Sequence, residues 1–267
     1  MMSNDNIEKT DIAHCSLLTA HCPSAHSPFV LDETENFAVV FKPPRMHSAP
    51  LRNGGGDTLL EWYAKLFPPV MNISGRKEGE GGLLHRLDYE TQGLVLFAKN
   101  QNSHDFLLKL QEQGDFVKEY SAICQKAASP QPSFPPPPEL SMKESFAIES
   151  SFRPFGPGRK QVRPVTAAPN KDSIGLYRTE VAGIDSLDDG HCAFTVKLKK
   201  GFRHQIRCHL AWIGWPVQND PVYGEAAADG HLALRSHALS FTDPNSGELR
   251  EYMVERMVGS TTPPLRG

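Results

Sequence analysis

"HRLDYETQGLVLFAKN", residues 85–100, carries the reading of the fold. His85, Arg86 and Asp88 crowd together, a Thr91-Gln92-Gly93 step follows, and then comes the unbroken apolar run 94–98. Such a run reads as a strand buried on both faces, opened by Gly93. A carboxylate at the end of a polar turn, directly before a buried strand, is held by a rigid element while it still faces a cleft. Downstream, "NSHDFLLKLQEQG" reads as a helix with Ser103 as N-cap and Gly114 as its stop.

Working outward, "NFAVVFKPP" (36–44) is a strand halted by two prolines, and "DTLLEWYAKLF" (57–67) is a short helix capped by Asp57 or Thr58. "KEYSAICQK" (118–126) alternates as a strand does, and further strands are expected at 174–184, 192–199 and 232–242. "HQIRCHLAWIG" (204–214) is a helix ending at Gly214. The proline-rich stretch 128–140 lacks backbone donors and reads as a surface insertion. Residues 1–28 are polar and unpatterned, a flexible N-terminal tail, and 29–267 form one domain. Strand pairs mixed with isolated helices point to α+β, with a mixed, largely antiparallel central sheet flanked by helices.

Bulk properties exclude several classes. Of 267 residues, 39% are apolar, and no stretch approaches the roughly 20 apolar residues of a membrane helix. The first residues lack the basic and apolar regions of a signal peptide, and five scattered cysteines fit reduced thiols, so a cytoplasmic location without membrane contact is expected. His14, Cys15, His21, Cys22 and His26 match no common zinc spacing, and no metal is expected. A net charge of -3 argues against general coating of nucleic acid. Yet "FRPFGPGRKQVRPVTAAPNK" (152–171) and "KLKKGFRHQIRCH" (197–209) are basic without a single acid. Such stretches are either solvated loops and a strand end or local binding sites.

The Asp88 turn also leaves two readings. Arg86 need not pair with Asp88 on an extended turn, whereas Arg207, on the 204–214 helix, is a candidate partner. The pair is a structural tie, the commoner case, or an ionised Asp88 acts as nucleophile or base. Glu90 is expected to face solvent. Walker, His-Glu-x-x-His and Gly-x-Ser-x-Gly motifs are absent.

"HRLDYETQGLVLFAK" resembles the His-Arg-Leu-Asp-x-x-Thr-Ser-Gly-Leu motif of RluA-type RNA pseudouridine synthases. "GFRHQIRCHLAWIGWPVQNDPVYG" (201–224) resembles their second signature, Gly-Arg-x-His-Gln-Ile-Arg-x-His-Leu, with its Gly-x-Pro-x-x-x-Asp-x-x-Tyr-Gly tail. "FKPPRMHSAP" (41–50) stands where the family shows Asn-Lys-Pro, and "KEY" (118–120) where it shows Lys-x-Tyr. The resemblance implies the pseudouridine synthase catalytic fold and isomerisation of uridine to pseudouridine in ribosomal or transfer RNA, without a cofactor, by a monomer. The other reading is a non-catalytic RNA-binding module that has kept the fold.

By the same resemblance, Asp88 falls on the catalytic aspartate, Tyr120 on the tyrosine that stacks on the base, and Arg207 on the aspartate's basic partner. Arg86 falls on the arginine that enters the RNA stack. His85, Lys118, Arg203, His204 and Gln205 lie in the same motifs and are expected to bind RNA. Gln92, Phe202 and Phe41 depart from the pattern, where the family has Ser, Arg and Asn.

Overall fold

The computed structural model describes residues 16–20, 26–51, 57–141, 145–166, 175–187, 190–227 and 230–257. Its elements in order are β1 (Ser16–Ala20), β2 (Phe29–Glu33), β3 (Phe37–Lys42), α1 (Leu59–Leu66), β4 (Gln92–Ala98), α2 (Gln101–Gln113), β5 (Val117–Gln125) and β6 (Phe146–Phe155). There follow β7 (Gln161–Val165), β8 (Tyr177–Ser186), β9 (His191–Leu198), α3 (Gln205–Trp212), β10 (Leu234–Thr242) and β11 (Leu249–Val254). The strands run β2-β3-β4-β10-β5-β9-β8-β6-β7, with β11 on β10 and β1 on β11. Pairings are antiparallel except β4–β10 and β1–β11, so the sheet is mixed and largely antiparallel.

Every residue of β4 is buried, as its unbroken apolar run requires. On one face Val40, Val95 and Phe97 pack with Leu60 and Tyr63 of α1; on the other, Phe41, Leu94 and Leu96 pack with Leu107 of α2 and Phe116. Each such side chain contributes roughly 1.5–3 kcal/mol through its removal from water. Thr58 caps α1 in a reciprocal box with Glu61. Helix α2 begins earlier than expected: Asn100 is the cap and accepts from the Ser103 N–H at 2.9 Å, while Ser103 lies inside the first turn. Gly114 ends α2 in the left-handed conformation, φ 84°.

Two stretches without a clear pattern hold strands. Within the tail, Ser16–Ala20 pairs with β11, whose open edge offers backbone groups that a short segment can satisfy. The basic stretch from 152 forms the end of β6 and β7, an antiparallel hairpin. Residues 128–140 hold no helix or strand. Cys124, Cys192 and Cys208 are free thiols. Most of the N-terminal His/Cys group, His14, Cys15, His21 and Cys22, lies outside the described residues, as does Lys171. Among the described residues no cluster is disposed to hold a metal, and no helix is long and apolar enough to cross a membrane.

Candidate active site

The first motif is locked through its backbone. At Gly93, φ is +126°, and a Cβ there would run into the Ser236 backbone of β10. Glycine alone lets β4 meet β10 at this point. Ser236 pairs with Gly93 on one side and Tyr120 on the other, which sets Tyr120 of β5 beside the turn that precedes β4. Within that turn the Thr91 N–H donates to the Asp88 carbonyl at 3.1 Å. Ser48 Oγ bonds both the N–H and the carbonyl of Leu87 at 3.0 Å.

Lys42 sits beneath, wholly buried, where β3 stops at its prolines. Its Nζ donates to the carbonyls of Pro43 (2.9 Å), Met46 (2.8 Å) and Tyr89 (3.3 Å), tying the 43–46 turn to the Asp88 turn. Burial pulls its pKa down to about 7, against the nearby Asp88 and Glu90 carboxylates, which favour the charge.

Helix α3 supplies the cation. Arg207 is 1% exposed, and its Nη1 lies 3.3 Å from Asp88 Oδ2. Its stronger partner is Asp220, in the turn after α3: Nε donates to Oδ2 at 2.8 Å and Nη2 to Oδ1 at 2.7 Å. Asp220 Oδ1 also accepts the N–H groups of Val222 and Tyr223, so a fully buried carboxylate is well satisfied. Burial opposes the Arg207 charge, but Asp220 first and then Asp88 and Glu90 outweigh it and raise the pKa. Glu90 is drawn in toward the site rather than turned to solvent, with Oε2 at 3.8 Å from Arg207 Nη1.

Asp88 keeps 21% of its side chain open to solvent. Tyr120 is 6% exposed, and burial, with the Asp88 charge, raises its pKa, so the phenol stays protonated. The site therefore brings together an accessible carboxylate, an immobilised guanidinium, an aromatic phenol and a buried lysine.

The other expected residues are spread more widely. Arg86 points outward, its Nη1 3.2 Å from Glu80 Oε1. His85 accepts the Leu96 N–H on Nε2 at 3.2 Å, and so takes the place of a strand carbonyl beside β4. Burial, with the Lys118 and Arg76 charges, holds it well below the usual imidazole range. Lys118 lies over the Phe116 ring at 5.1 Å, buried, with its pKa lowered to about 8 by burial and by Arg76. Gln205 is buried and bonds the Phe202 N–H, the Arg178 carbonyl and Thr179 Oγ1. His204, left-handed at φ 56°, starts α3 and meets Tyr223 Oη at 3.2 Å. Arg203 is exposed, and its Nη2 bonds the Arg159 and Gln161 carbonyls at the tip of the β6–β7 hairpin.

The departures from the motifs acquire physical reasons. Phe202 stacks on Phe152 at 5.1 Å and 3°, and thus packs the base of the hairpin. Gln92 Oε1 accepts from Arg235 Nη2 at 3.1 Å, and that guanidinium lies 6.0 Å from the Phe41 ring. Gln92 and Phe41 therefore share one buried arginine on the α2 side of the sheet.

The sequence profile of the RNA pseudouridylate synthase family matches residues 36–212. The ribosomal large subunit pseudouridine synthase D of Pseudomonas aeruginosa is 27% identical over 195 residues, 73% of this chain and 53% of that protein. The uncharacterized RNA pseudouridine synthase YlyB of Bacillus subtilis is 27% identical over 228 residues, 82% of this chain and 66% of its own length. The chain thus spans between half and two thirds of these curated relatives. Human RNA pseudouridylate synthase domain containing 1 shares the fold, with a TM-score of 0.60 and 18% identity over 87% of this chain and 85% of that one. With both motifs in place and the profile covering most of the domain, the chain belongs to the RluA-type RNA pseudouridine synthases.

Proposed function

We propose that this chain isomerises uridine to pseudouridine within structured RNA, and that Asp88 is the essential carboxylate. The supporting observation is the placement of Asp88: open to solvent, on a backbone-locked turn, and 3.3 Å from an Arg207 that Asp220 immobilises. A merely structural ion pair would be complete with Asp220 alone. Arg207 meets Asp88 through Oδ2, which leaves the other oxygen for substrate.

The reaction breaks the N1–C1′ bond, turns the base, forms C5–C1′, moves the C5 proton off carbon and returns a proton to N1. It is redox-neutral and needs neither oxidant nor cofactor. Tyr120 offers the flipped base an aromatic face, a contact worth about 1–3 kcal/mol. Arg86, outward on the same turn, enters the stack left by the flipped nucleotide and offsets part of the unstacking cost. The exposed Arg153, Arg159 and Lys160 of the β6–β7 hairpin meet phosphates, and Arg203 fixes the hairpin tip for that task. His85 and Gln205 serve by holding these motifs in shape, and Lys118 lends positive charge from below.

The names of the relatives favour ribosomal RNA among structured RNAs. The test is to map pseudouridine in ribosomal and transfer RNA from a deletion strain before and after incubation with the purified protein. A site that vanishes on deletion and returns on incubation supports the activity; an unchanged map in both contradicts it.

A further inference from the structure

A cleft of about 360 Å³ opens beside the Asp88 turn, between the 44–45 turn and residues of 219–227 and 230–232. Arg45, Tyr89, Glu90, Asn219 and His231 line it. Its volume is within the range that holds small organic groups. Tyr89 is 40% exposed although its ring is braced against His47, with centroids 4.6 Å apart. Its carbonyl is held by the Met46 N–H and by Lys42 Nζ, which fixes its backbone beside the cleft. A braced and partly exposed aromatic ring is what a stacking contact with a base requires.

Arg45 supports a functional reading through its backbone. It is an exposed, non-glycine residue at φ 59°, a conformation that persists only where the surroundings enforce it. That turn carries its guanidinium across the cleft to within 3.5 Å of the Gly230 carbonyl on the opposite wall. Glu90 supplies the third element: a carboxylate on the wall, leaning toward an Arg207 that Asp220 already satisfies.

An aromatic face, a guanidinium and a carboxylate match the three parts of an unpaired nucleotide. The ring stacks on the base, the guanidinium meets the phosphate, and the carboxylate accepts from an N–H group on the base edge. A carboxylate would repel a backbone that merely tracked through the cleft, so the base edge is the part that faces Glu90. Among unpaired base edges, cytosine and adenine offer a carboxylate an exocyclic amino group and guanine offers its N1–H and N2 amino pair, whereas uracil has only its N3–H.

We propose that this cleft binds an unpaired nucleotide next to the target uridine and selects a base bearing an exocyclic amino group over uracil through Glu90. The inference rests on the RNA-modifying function proposed above. Glu90 and Asp88 approach the same Arg207 nitrogen, so the cleft lies one guanidinium away from Asp88.

The test equilibrates the full chain with RNA hairpins carrying randomised loops and reads both the retained sequences and the pseudouridines within them. Wild type should enrich amino-bearing bases over uracil at one loop position, and Glu90→Gln should reduce that preference by about fivefold or more. Arg45→Ala should weaken binding by about threefold for all sequences and flatten its salt dependence, leaving base preference unchanged. Identical base preferences for wild type and Glu90→Gln, or no amino-base preference in wild type, overturn the proposal. Retained RNA with the expected preference but no pseudouridine would instead overturn the catalytic reading while supporting the cleft.

Discussion

Asp220 grips Arg207 by two hydrogen bonds of 2.7 and 2.8 Å, and only the remaining guanidinium nitrogen reaches Asp88, at 3.3 Å. The arginine is thus anchored by one carboxylate and presented to another. Asp220 is fully buried and reaches Asp88 only through Arg207, which casts it as a positioning residue. Asp220→Asn should cut kcat by about tenfold to a hundredfold, a range usual for residues that orient a working group, with KM changed far less. Loss confined to KM would contradict this division. Asp220→Ala should also lower stability by roughly 3–5 kcal/mol, because it leaves a buried guanidinium short of its main partner.

Arg207→Leu should reduce turnover by about a hundredfold or more, since it removes both the cation that faces Asp88 and its orientation. Arg207→Lys keeps the charge and loses the planar fork, so it should recover only part of the rate. Equal rates for the lysine variant and wild type would show that charge alone suffices. An unchanged rate for Arg207→Leu would remove the pair from the mechanism.

Tyr120 separates stacking from hydroxyl chemistry. Tyr120→Phe should bind RNA within about twofold of wild type, whereas Tyr120→Ala should lose about 1–3 kcal/mol of binding. A large fall in turnover for Tyr120→Phe assigns the protonated phenol a part in proton transfer; wild-type turnover restricts Tyr120 to stacking.

Lys42 gives a pH signature. Its pKa is about 7 when folded and roughly 10.4 in the unfolded chain, so above pH 7 the unfolded state binds more protons. The Lys42 contribution to stability therefore rises with pH, by up to about 1.4 kcal/mol per unit between the two values. Lys42→Met leaves the Pro43 and Met46 carbonyls without their donor, a cost of about 1–3 kcal/mol for each such group. The gap between wild type and Lys42→Met, followed by denaturant unfolding from pH 6 to 9, should widen as pH rises. A constant or narrowing gap contradicts the assignment.

Much of this site could be read along the chain. The apolar run 94–98, the Lys42-Pro43-Pro44 stop and the helix with Arg207 each have a local periodicity or breaker that marks them. Asp220 was visible as the aspartate of the second motif's tail, yet its role depends on a turn folding back on α3, which spacing alone does not reveal. Lys42 reads as a strand-end lysine until its three carbonyl partners from two turns are seen. Gln92 had no local explanation because Arg235, its partner, lies on β10, far away in sequence. Ser103 has the side chain of a cap, but Asn100, an equally good one, precedes it by three residues and takes that place. The β6–β7 hairpin was hidden by its charges and prolines, which obscure alternation, and β1 by its dependence on an edge formed at the other end of the chain.

The central claim is that Asp88 carries the chemistry. The most direct measurement compares wild type and Asp88→Ala on RNA from the deletion strain, scoring pseudouridine formation and RNA binding in parallel. The account predicts no detectable pseudouridine from Asp88→Ala, with RNA affinity within about threefold of wild type because one carboxylate adds little to phosphate and stacking contacts. Pseudouridine formed by Asp88→Ala at the wild-type rate would contradict it.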